Sequence, residues 1–569
     1  MKSSNKNKIK KRYAIVAKFL ALSLALFMMM FFVTGCSSPR LRDWGPVPNR
    51  EIGEQFASFR IYMAGVDPRT GNTFNYLHRY DWRGARFYMT DTLEQYTFED
   101  VTGRIRGRGN STWNVSATTG PNAEQEALIV RPPTLGNSRI NPHLRNHWNH
   151  ERNPATPRMQ KWPFRIRFDE PRSMLGTSSV STDWSFIANH SDYTQLRNEA
   201  ATILAHSLSG MEWQTRSRFV HVYWNGDYRG VYWMAEQLEV SNYGFTRQQD
   251  EVIGRVPLRY DPNPAYSDYF IELDLRADRL NTNIEARHHS DFRQSAEYQN
   301  LAPREGRDFL RVGGRNYDIR FPDDTREVGV GRSGESFTAR ANTPAHVAYL
   351  RRFITEVDNA INSHNWRRIN QWIDVNSFVD YFIVHEFFNN MDSGGLSVHK
   401  TIQGIGDERR MHMGPIWDFD LSAGNTHPST SWGTYNSFMR RGGYGYKGVW
   451  SGYINRWFRN LLNVPQFFER VGYRFAMIRD NQIQDMMDEV LEFAVEHELE
   501  FERNFRRWSE MHGRRTWTQS PEIVALGSGT GAFMRNVEHL IGWFEGRRDW
   551  MTQWLTYGSG TNTAPLTFN

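Results

Sequence analysis

Residues 389–425 read NNMDSGGLSVHKTIQGIGDERRMHMGPIWDFDLSAGN, opening on Asp392 before two glycines and closing on Asp418 and Asp420 among Trp417, Phe419 and Leu421. A carboxylate among aromatic rings loses water and needs a cation or a hydrogen-bond donor in exchange. Just upstream, DVNSFVDYFIVHEFFNN (374–390) is strongly apolar and predicts a buried helix running straight into Asp392. Between the acids, LSVHKTI and RRMHMGPIWDF predict a strand pair.

Working outward, TPAHVAYLRRFITEVDNAI (343–361) predicts a helix with Thr343 as cap, Pro344 in its first turn, and a stripe at Val347, Leu350, Ile354, Val357 and Ile361. Further upstream the period shortens. FASFRIYMA (56–64), VTGRIRGRG (101–109) and KWPFRIRF (161–168) predict strands, the last alternating around Arg165 and Arg167. FVHVYWNGDYRGVYWMAEQL (219–238) predicts a hairpin turning at NGD. Downstream, FRNLLNVPQFFERVGYRFAMIRD and DMMDEVLEFAVEHELEFERNFRRW predict helices. The fold class is therefore α+β, with a strand-rich N-terminal part, a helical C-terminal part and a cleft expected between them.

The chain begins with a basic run, MKSSNKNKIKKRYAIVAKF, then apolar LALSLALFMMMFFV, then VTGC. This order predicts a lipoprotein signal peptide over 1–35, with lipidation at Cys36 and an outward-facing anchor on a bacterial membrane. Cys36 is the only cysteine, which excludes internal disulfides and Cys-based metal sites. Residues 1–35 carry six Lys, one Arg and no acid, so the remainder has a formal charge of −1 rather than +6. That removes the main support for a nucleic-acid partner. Beyond Cys36 only Lys161, Lys400 and Lys447 are lysines, and nearly every other cation is Arg. Such a chain is expected to keep Lys where a compact ammonium is required.

These residues fit a phosphoryl-transfer site, which needs a group near the attacking hydroxyl, carboxylates for Mg²⁺ and a cation for phosphate. Asp392 would orient the hydroxyl or accept its proton, Asp418 with Asp420 would bind metal through oxygen, and Lys161 would meet phosphate. Gly109, Asn110 and Ser111, in GRGNSTW, would supply backbone N–H groups to a phosphate-covering turn. Mg²⁺ and Mn²⁺ both suit such oxygen ligands.

In order along the chain, RGRGNSTW, KWPFRIRF, MLG, DWSFIANHSDYTQLRNEAA, FVHVYWNGDYRGVYWMAEQL and GPIWDFDLSAGN resemble the CotH kinase family, over about residues 57–425. The resemblance implies an atypical protein-kinase-like fold that uses ATP and a divalent metal to phosphorylate Ser on extracytoplasmic proteins. It implies that Asp392 is the catalytic aspartate, Asp418 the metal aspartate and Asp420 its companion acid. Lys161 would contact nucleotide phosphate, Glu236 would lie near the nucleotide edge, and Arg197, in L-R-N with Asn198, would reach phosphate or bridge to an acid. Ser397 stands where the family places an Asn for a second metal, so that a hydroxyl replaces an amide oxygen.

The expected layout is a linker over 36–56, a core over 57–425 with an insertion at about 114–160, a C-terminal helical part over 426–557, and a disordered tail over 558–569. In the insertion, His143, His147 and His150 have spacing that suits Zn²⁺, but the surrounding Asn and Pro favour a polar surface loop. Twenty Trp and twenty-four Tyr also suit a glycan platform, for which RRGGYGYKGVWSGYINRWF is the strongest stretch. Two functions remain open at this level. One is an outward-facing kinase acting on Ser/Thr of secreted, surface or spore-coat proteins; the other is a non-catalytic surface-assembly or glycan-binding lipoprotein.

Overall fold

The computed structural model describes residues 55–63, 82–91, 96–108, 161–174, 181–211, 214–238, 258–274, 305–306, 308–322, 343–425, 435, 456–508, 521–527 and 531–557. All of them lie in one unit, Pro48–Asn569.

Seven strands close into a barrel. They are β1 (Ala57–Tyr62), β2 (Arg83–Thr90), β3 (Phe98–Gly107), β4 (Phe164–Arg172), β5 (Ser181–Ile187), β6 (Ser217–Trp224) and β7 (Asp227–Glu236), in the order β1-β2-β3-β4-β5-β7-β6. Alternation decides what faces inward. Phe164, Ile166 and Phe168 of β4 point into the barrel core with Phe59, Phe87, Ile105 and Phe186, and the Phe164 and Phe186 rings stack at 4.6 Å. Asn225 and Gly226, both at positive φ, make the β6–β7 turn at the expected NGD. That turn also closes the barrel. The Asn225 N–H donates to Ile61 O (2.8 Å) and its Oδ1 accepts from Met63 N (2.9 Å), holding β1 parallel to β6.

A second sheet of five strands runs β12-β11-β8-β10-β9. It contains β8 (Tyr269–Leu273), β9 (Phe309–Val312), β10 (Arg315–Phe321), β11 (Val398–Gln403) and β12 (Arg410–Met413), every neighbour pair antiparallel. The expected pair after Asp392 is thus present, but it extends a sheet begun more than a hundred residues earlier. The division into a strand-rich part followed by helices is accordingly coarser than the fold. Strand β8 is buried on both faces, so its sequence shows no alternation.

Helix α1 (Arg197–Ser207) follows the barrel strand β5. Helices α2 (Pro344–Asn362), α3 (Trp366–Trp372) and α4 (Val375–Phe388) precede β11. Thr343 caps α2 as expected, accepting from His346 N, and Asp374 caps α4 through Ser377 N (2.7 Å). The C-terminal part comprises α5 (Arg456–Leu462), α6 (Pro465–Ile478), α7 (Gln482–Glu496), α8 (Glu498–Arg507), α9 (Pro521–Leu526) and α10 (Phe533–Tyr557). Among the described residues no helix is long and apolar enough to cross a membrane.

Helix α8 docks on β7 where Gly230 has no side chain; a Cβ there would lie 2.5 Å from Asn504 Oδ1 and 2.7 Å from Trp508 Nε1. Helix α10 fixes the end of α4. Arg547 is fully buried, and its guanidinium donates to Glu386 O (2.6 Å) and Glu386 Oε1 (2.7 Å). Burial pushes the Arg547 pKa down to about 10, and the Glu386 carboxylate opposes that shift. Removing one member of such a pair strands the other charge. Arg547→Met should therefore cost about 3–5 kcal/mol in urea unfolding, and Arg547→Met with Glu386→Leu should recover much of it. Equal losses in the single and double variants would contradict this role.

Candidate functional site

Three segments meet beside the end of α4. One is the turn before α1 (189–198), another is the 3₁₀ turn Met391–Gly394 that carries Asp392, and the third is the loop 414–425 after β12. The Ala423 N–H donates to Phe388 O (2.6 Å), and the Phe419 ring lies 5.4 Å from Phe388 and 4.7 Å from His385. Burial, and secondarily His399, lowers the His385 pKa to about 3, so this ring is a neutral packing partner.

Asn390 joins the first acid to the second. Its Oδ1 accepts from Asp392 N (3.1 Å) and its Nδ2 donates to Asp418 O (3.1 Å). Asn198 accepts from Phe419 N (2.8 Å). Asn425 Nδ2 donates to Asp420 O (2.6 Å) and Ser191 O (3.0 Å), while its buried Oδ1 has no hydrogen-bond partner among the described residues. Four of the nine described non-glycine residues at positive φ lie in these segments, Asn189, Gln195, Asp418 and Ala423, and two more, Asn389 and Ser397, flank the 3₁₀ turn. Such conformations persist only where the surroundings over-determine them, and they concentrate at functional sites.

The acids are brought together as charges. Burial pushes the Asp420 carboxyl well above its usual range, and the negative charges of Asp418, Asp392 and Asp192 push it further. Asp418 and Asp420 also share a side-chain hydrogen bond, which requires a proton on one of them. Either that proton or a cation must occupy the space between two such oxygens. Asp192 has its own cation. Arg197, fully buried, forms an ion pair with Asp192 and donates to Ser422 O (3.0 Å) and Ala423 O (3.1 Å). Arg197 thus bridges to an acid, the second of its two expected roles, and holds the backbone that follows Asp420.

Among the described residues no three His, Cys, Asp or Glu side chains converge closely enough to ligate one ion. The neighbouring carboxylates of Asp418 and Asp420 do fit Mg²⁺, which keeps several waters and takes one or two protein carboxylates plus phosphate oxygens. Asp392 is half-buried, and so is Ser397, just before β11.

Lys161 occupies the barrel wall. It is fully buried, donates to Gln195 Oε1 (3.2 Å) and to Val231 O, and sits 4.7 Å from the Tyr232 ring centroid. Burial holds its pKa well below the ordinary 10.5. Lys400 is buried in the same way, over Trp457 at 5.5 Å, with its pKa lowered well below 10.5 by burial and then by Arg315. On burial Lys gives up its proton more readily than Arg does. Two of the three lysines beyond Cys36 thus stand fully buried, where desolvation disfavours their charge. Glu236 is buried at the end of β7, accepting from Arg216 N (3.0 Å).

Cys36, Gly109, Asn110, Ser111, the three histidines of the insertion and Lys447 lie outside the described residues. Sequence reasoning overlooked Asp192, Asn390 and Asn425, although each adjoins a residue it chose. The Asp192 signal is an Asx turn: its Oδ1 accepts from Thr194 N (3.0 Å), five residues before the Arg that pairs with it. It also overlooked Arg108, whose guanidinium lies 5.4 Å from the Trp417 ring centroid and links the barrel to the acidic loop.

The family model described as CotH kinase protein matches residues 149–551, or 403 of the 569 residues. It begins within the expected insertion and runs past residue 425 into α10, so the C-terminal helices belong to the matched region. No curated protein matches the chain.

The acids and the buried lysine give opposite pH signatures. The folded chain holds the Asp420 proton above 3.8, so metal-free stability should fall as pH rises through that elevated value. Asp420→Asn should melt above the unsubstituted chain in a chelator at neutral pH, and millimolar Mg²⁺ should narrow the gap. A lower melting point for Asp420→Asn would contradict the charge conflict. For Lys161 the unfolded chain binds the extra proton, so stability should rise as pH approaches 10.5 from the depressed value. Lys161→Arg should cost about 3 kcal/mol or more from trapped charge and overpacking, against about 1 kcal/mol for Lys161→Met. Thermal melts that rank the two the other way would show that a permanent cation is needed there.

Proposed function

Since the chain belongs to the CotH kinase family, we propose that it transfers the terminal phosphoryl group of ATP to Ser or Thr side chains of extracytoplasmic proteins, anchored outside a bacterial membrane through Cys36. The observation that carries this reading is the conjunction of Asp392, Asp418 and Asp420, three carboxylates whose charges act on one another at the end of a buried helix.

Asp392, half-buried, would orient a substrate hydroxyl by accepting its hydrogen bond and would take its proton. Asp418 and Asp420 would hold a divalent cation, which when bound neutralises phosphate charge. Asn390 fixes the relative position of Asp392 and Asp418 through its two amide hydrogen bonds, so the acceptor and the metal ligands move as one unit. Arg197, committed to Asp192, positions the loop and is not free to receive phosphate. Lys161 donates to Gln195, in the segment that carries Arg197, and its role in this reading is to position that segment from the barrel side. The nucleotide would lie between the barrel and loop 414–425, where Arg108 and Trp417 approach each other. Arg108, half-buried beside Trp417, would meet phosphate in this reading.

The test follows the melting temperature of the full chain with ATP, with Mg²⁺ or Mn²⁺, and with both. A ligand that binds only the folded state stabilises it by about 2.7 kcal/mol at a hundredfold excess over its dissociation constant. Stabilisation should need nucleotide and metal together and should vanish in Asp418→Asn. Asp392→Asn should keep that stabilisation while losing about 10²–10⁴-fold in transfer rate. Normal turnover in Asp392→Asn would remove it from the mechanism.

A further inference from the structure

The family match begins at residue 149, so it gives no account of β1, β2 and β3. With Phe59, Ile61, Phe87, Met89 and Val101 turned into the barrel, alternation puts Tyr62, Gly84, Arg86, Tyr88 and Asp100 on its outer face. Tyr62 is 42% exposed, and its ring meets the half-buried Tyr88 ring at 5.2 Å with the two planes 82° apart. The rings therefore form a corner, the face of one standing against the edge of the other.

The backbone beside this corner is irregular. Strands β2 and β3 pair Phe87 with Val101 but Met89 with Phe98, so Tyr88 alone faces Glu99 and Asp100. A bulge of this kind re-aims a side chain. Asp100 adopts a φ of +56°, and its carboxylate accepts from the Tyr88 hydroxyl (2.9 Å) and pairs with Arg86. An ion pair open to solvent contributes little to stability, and a left-handed residue within a strand detracts from it. The barrel core does not require the arrangement either, since it includes none of these four side chains.

The chemistry of the corner says what it suits. Tyrosine offers a large, rigid surface at little entropic cost. Arg86 and Asp100 cancel each other's charge, and the neighbouring Arg60, which donates to Thr90 Oγ1, and Glu99 are of opposite sign as well. That balance favours a neutral ligand over an ionic one. A carboxylate has about four lone-pair sites, of which Tyr88 and Arg86 take two, and the others accept from whatever donors a ligand brings. Vicinal hydroxyls both donate and accept, and a sugar ring with equatorial substituents turns C–H bonds towards an aromatic face. A proline-rich peptide also suits exposed tyrosines, but its prolines have no N–H to give Asp100. A Cβ at Gly84 would meet nothing within 4 Å, so the sheet beside Arg86 is open to a ligand that extends past the rings.

We propose that Tyr62, Tyr88, Arg86 and Asp100 form a binding site for a soluble, neutral, β-linked glycan, one sugar ring lying in the aromatic corner while adjacent hydroxyls bridge Arg86 and Asp100. Perpendicular rings do not match a flat crystalline polysaccharide, which calls for coplanar ones. The site shares no residue with the acids around Asp420, so the assignment does not rest on the kinase reading.

The test titrates the full chain with cellopentaose and chitopentaose, with maltopentaose and decaproline as controls, read by calorimetry. At least one β-linked probe should bind in the millimolar range or below, and more tightly than maltopentaose. Tyr62→Ala should weaken that binding about tenfold, whereas Tyr62→Phe, which keeps the ring, should stay within about twofold. Asp100→Asn, at a position whose positive φ Asn also adopts, should weaken it severalfold. These exposed substitutions should leave the melting temperature unchanged. If Tyr62→Ala melts lower, Asp100→Asn carries the test. Absence of binding by both β-linked probes would overturn the proposal, as would unaltered affinity in Tyr62→Ala or in Asp100→Asn. Decaproline binding that is lost in Tyr62→Ala would overturn it in favour of a polypeptide ligand. The ATP and Mg²⁺ stabilisation should be the same in all these variants. If the unsubstituted chain lacks it while the glycan result holds, the kinase reading fails and the glycan site stands.

Discussion

The ion pair between Arg197 and Asp192 is the interaction on which the site depends. A buried guanidinium needs acceptors for its fork, and here one carboxylate and two backbone carbonyls supply them. Those carbonyls belong to Ser422 and Ala423, just past Asp420. The same Asp192 caps the entry to α1 by accepting from the backbone of Thr194 and Arg197. One pair thus fixes where the barrel ends, where α1 begins and where the acidic loop runs. It also neutralises one of the four carboxylates gathered there.

Asp418, Asp392 and Asp192 crowd the Asp420 carboxyl, and the backbone shows the same tension. Asp418 adopts a left-handed conformation, and so do Ser397, Asn389 and Ala423 around it. Each costs free energy of order 1–3 kcal/mol, which the packing of Phe419 on Phe388 and His385 and the bridging amide of Asn390 must offset. A site that holds acids close together against repulsion, on a backbone held against its own preference, is preorganised for a cation.

Support for this arrangement comes from elements distant in sequence. The end of α4 is locked by Arg547 from the last described helix, and the barrel is locked to the C-terminal part by α8 through Gly230. The C-terminal helices are consequently part of the machinery that positions Asp392. This agrees with a family match that runs through residue 551.

The sequence by itself determined the α+β class, the capped helix at Thr343, the buried helix before Asp392 and the NGD hairpin. These rest on local periodicity and on turn and cap chemistry that neighbouring residues dictate. It also singled out Asp392, Asp418 and Asp420, because acids set among aromatics and glycines are conspicuous against a solvated surface. Tertiary structure alone decided the rest. Closure of the barrel depends on β1 meeting β6 across more than 150 residues. The second sheet unites strands on either side of three helices, and its central strand is buried on both faces and so carries no period. Lys161 and Arg197, two cations of similar appearance in the sequence, are both fully buried and are separated only by their partners. Among the described residues Lys161 meets no carboxylate, and burial disfavours its charge; Arg197 is held by Asp192.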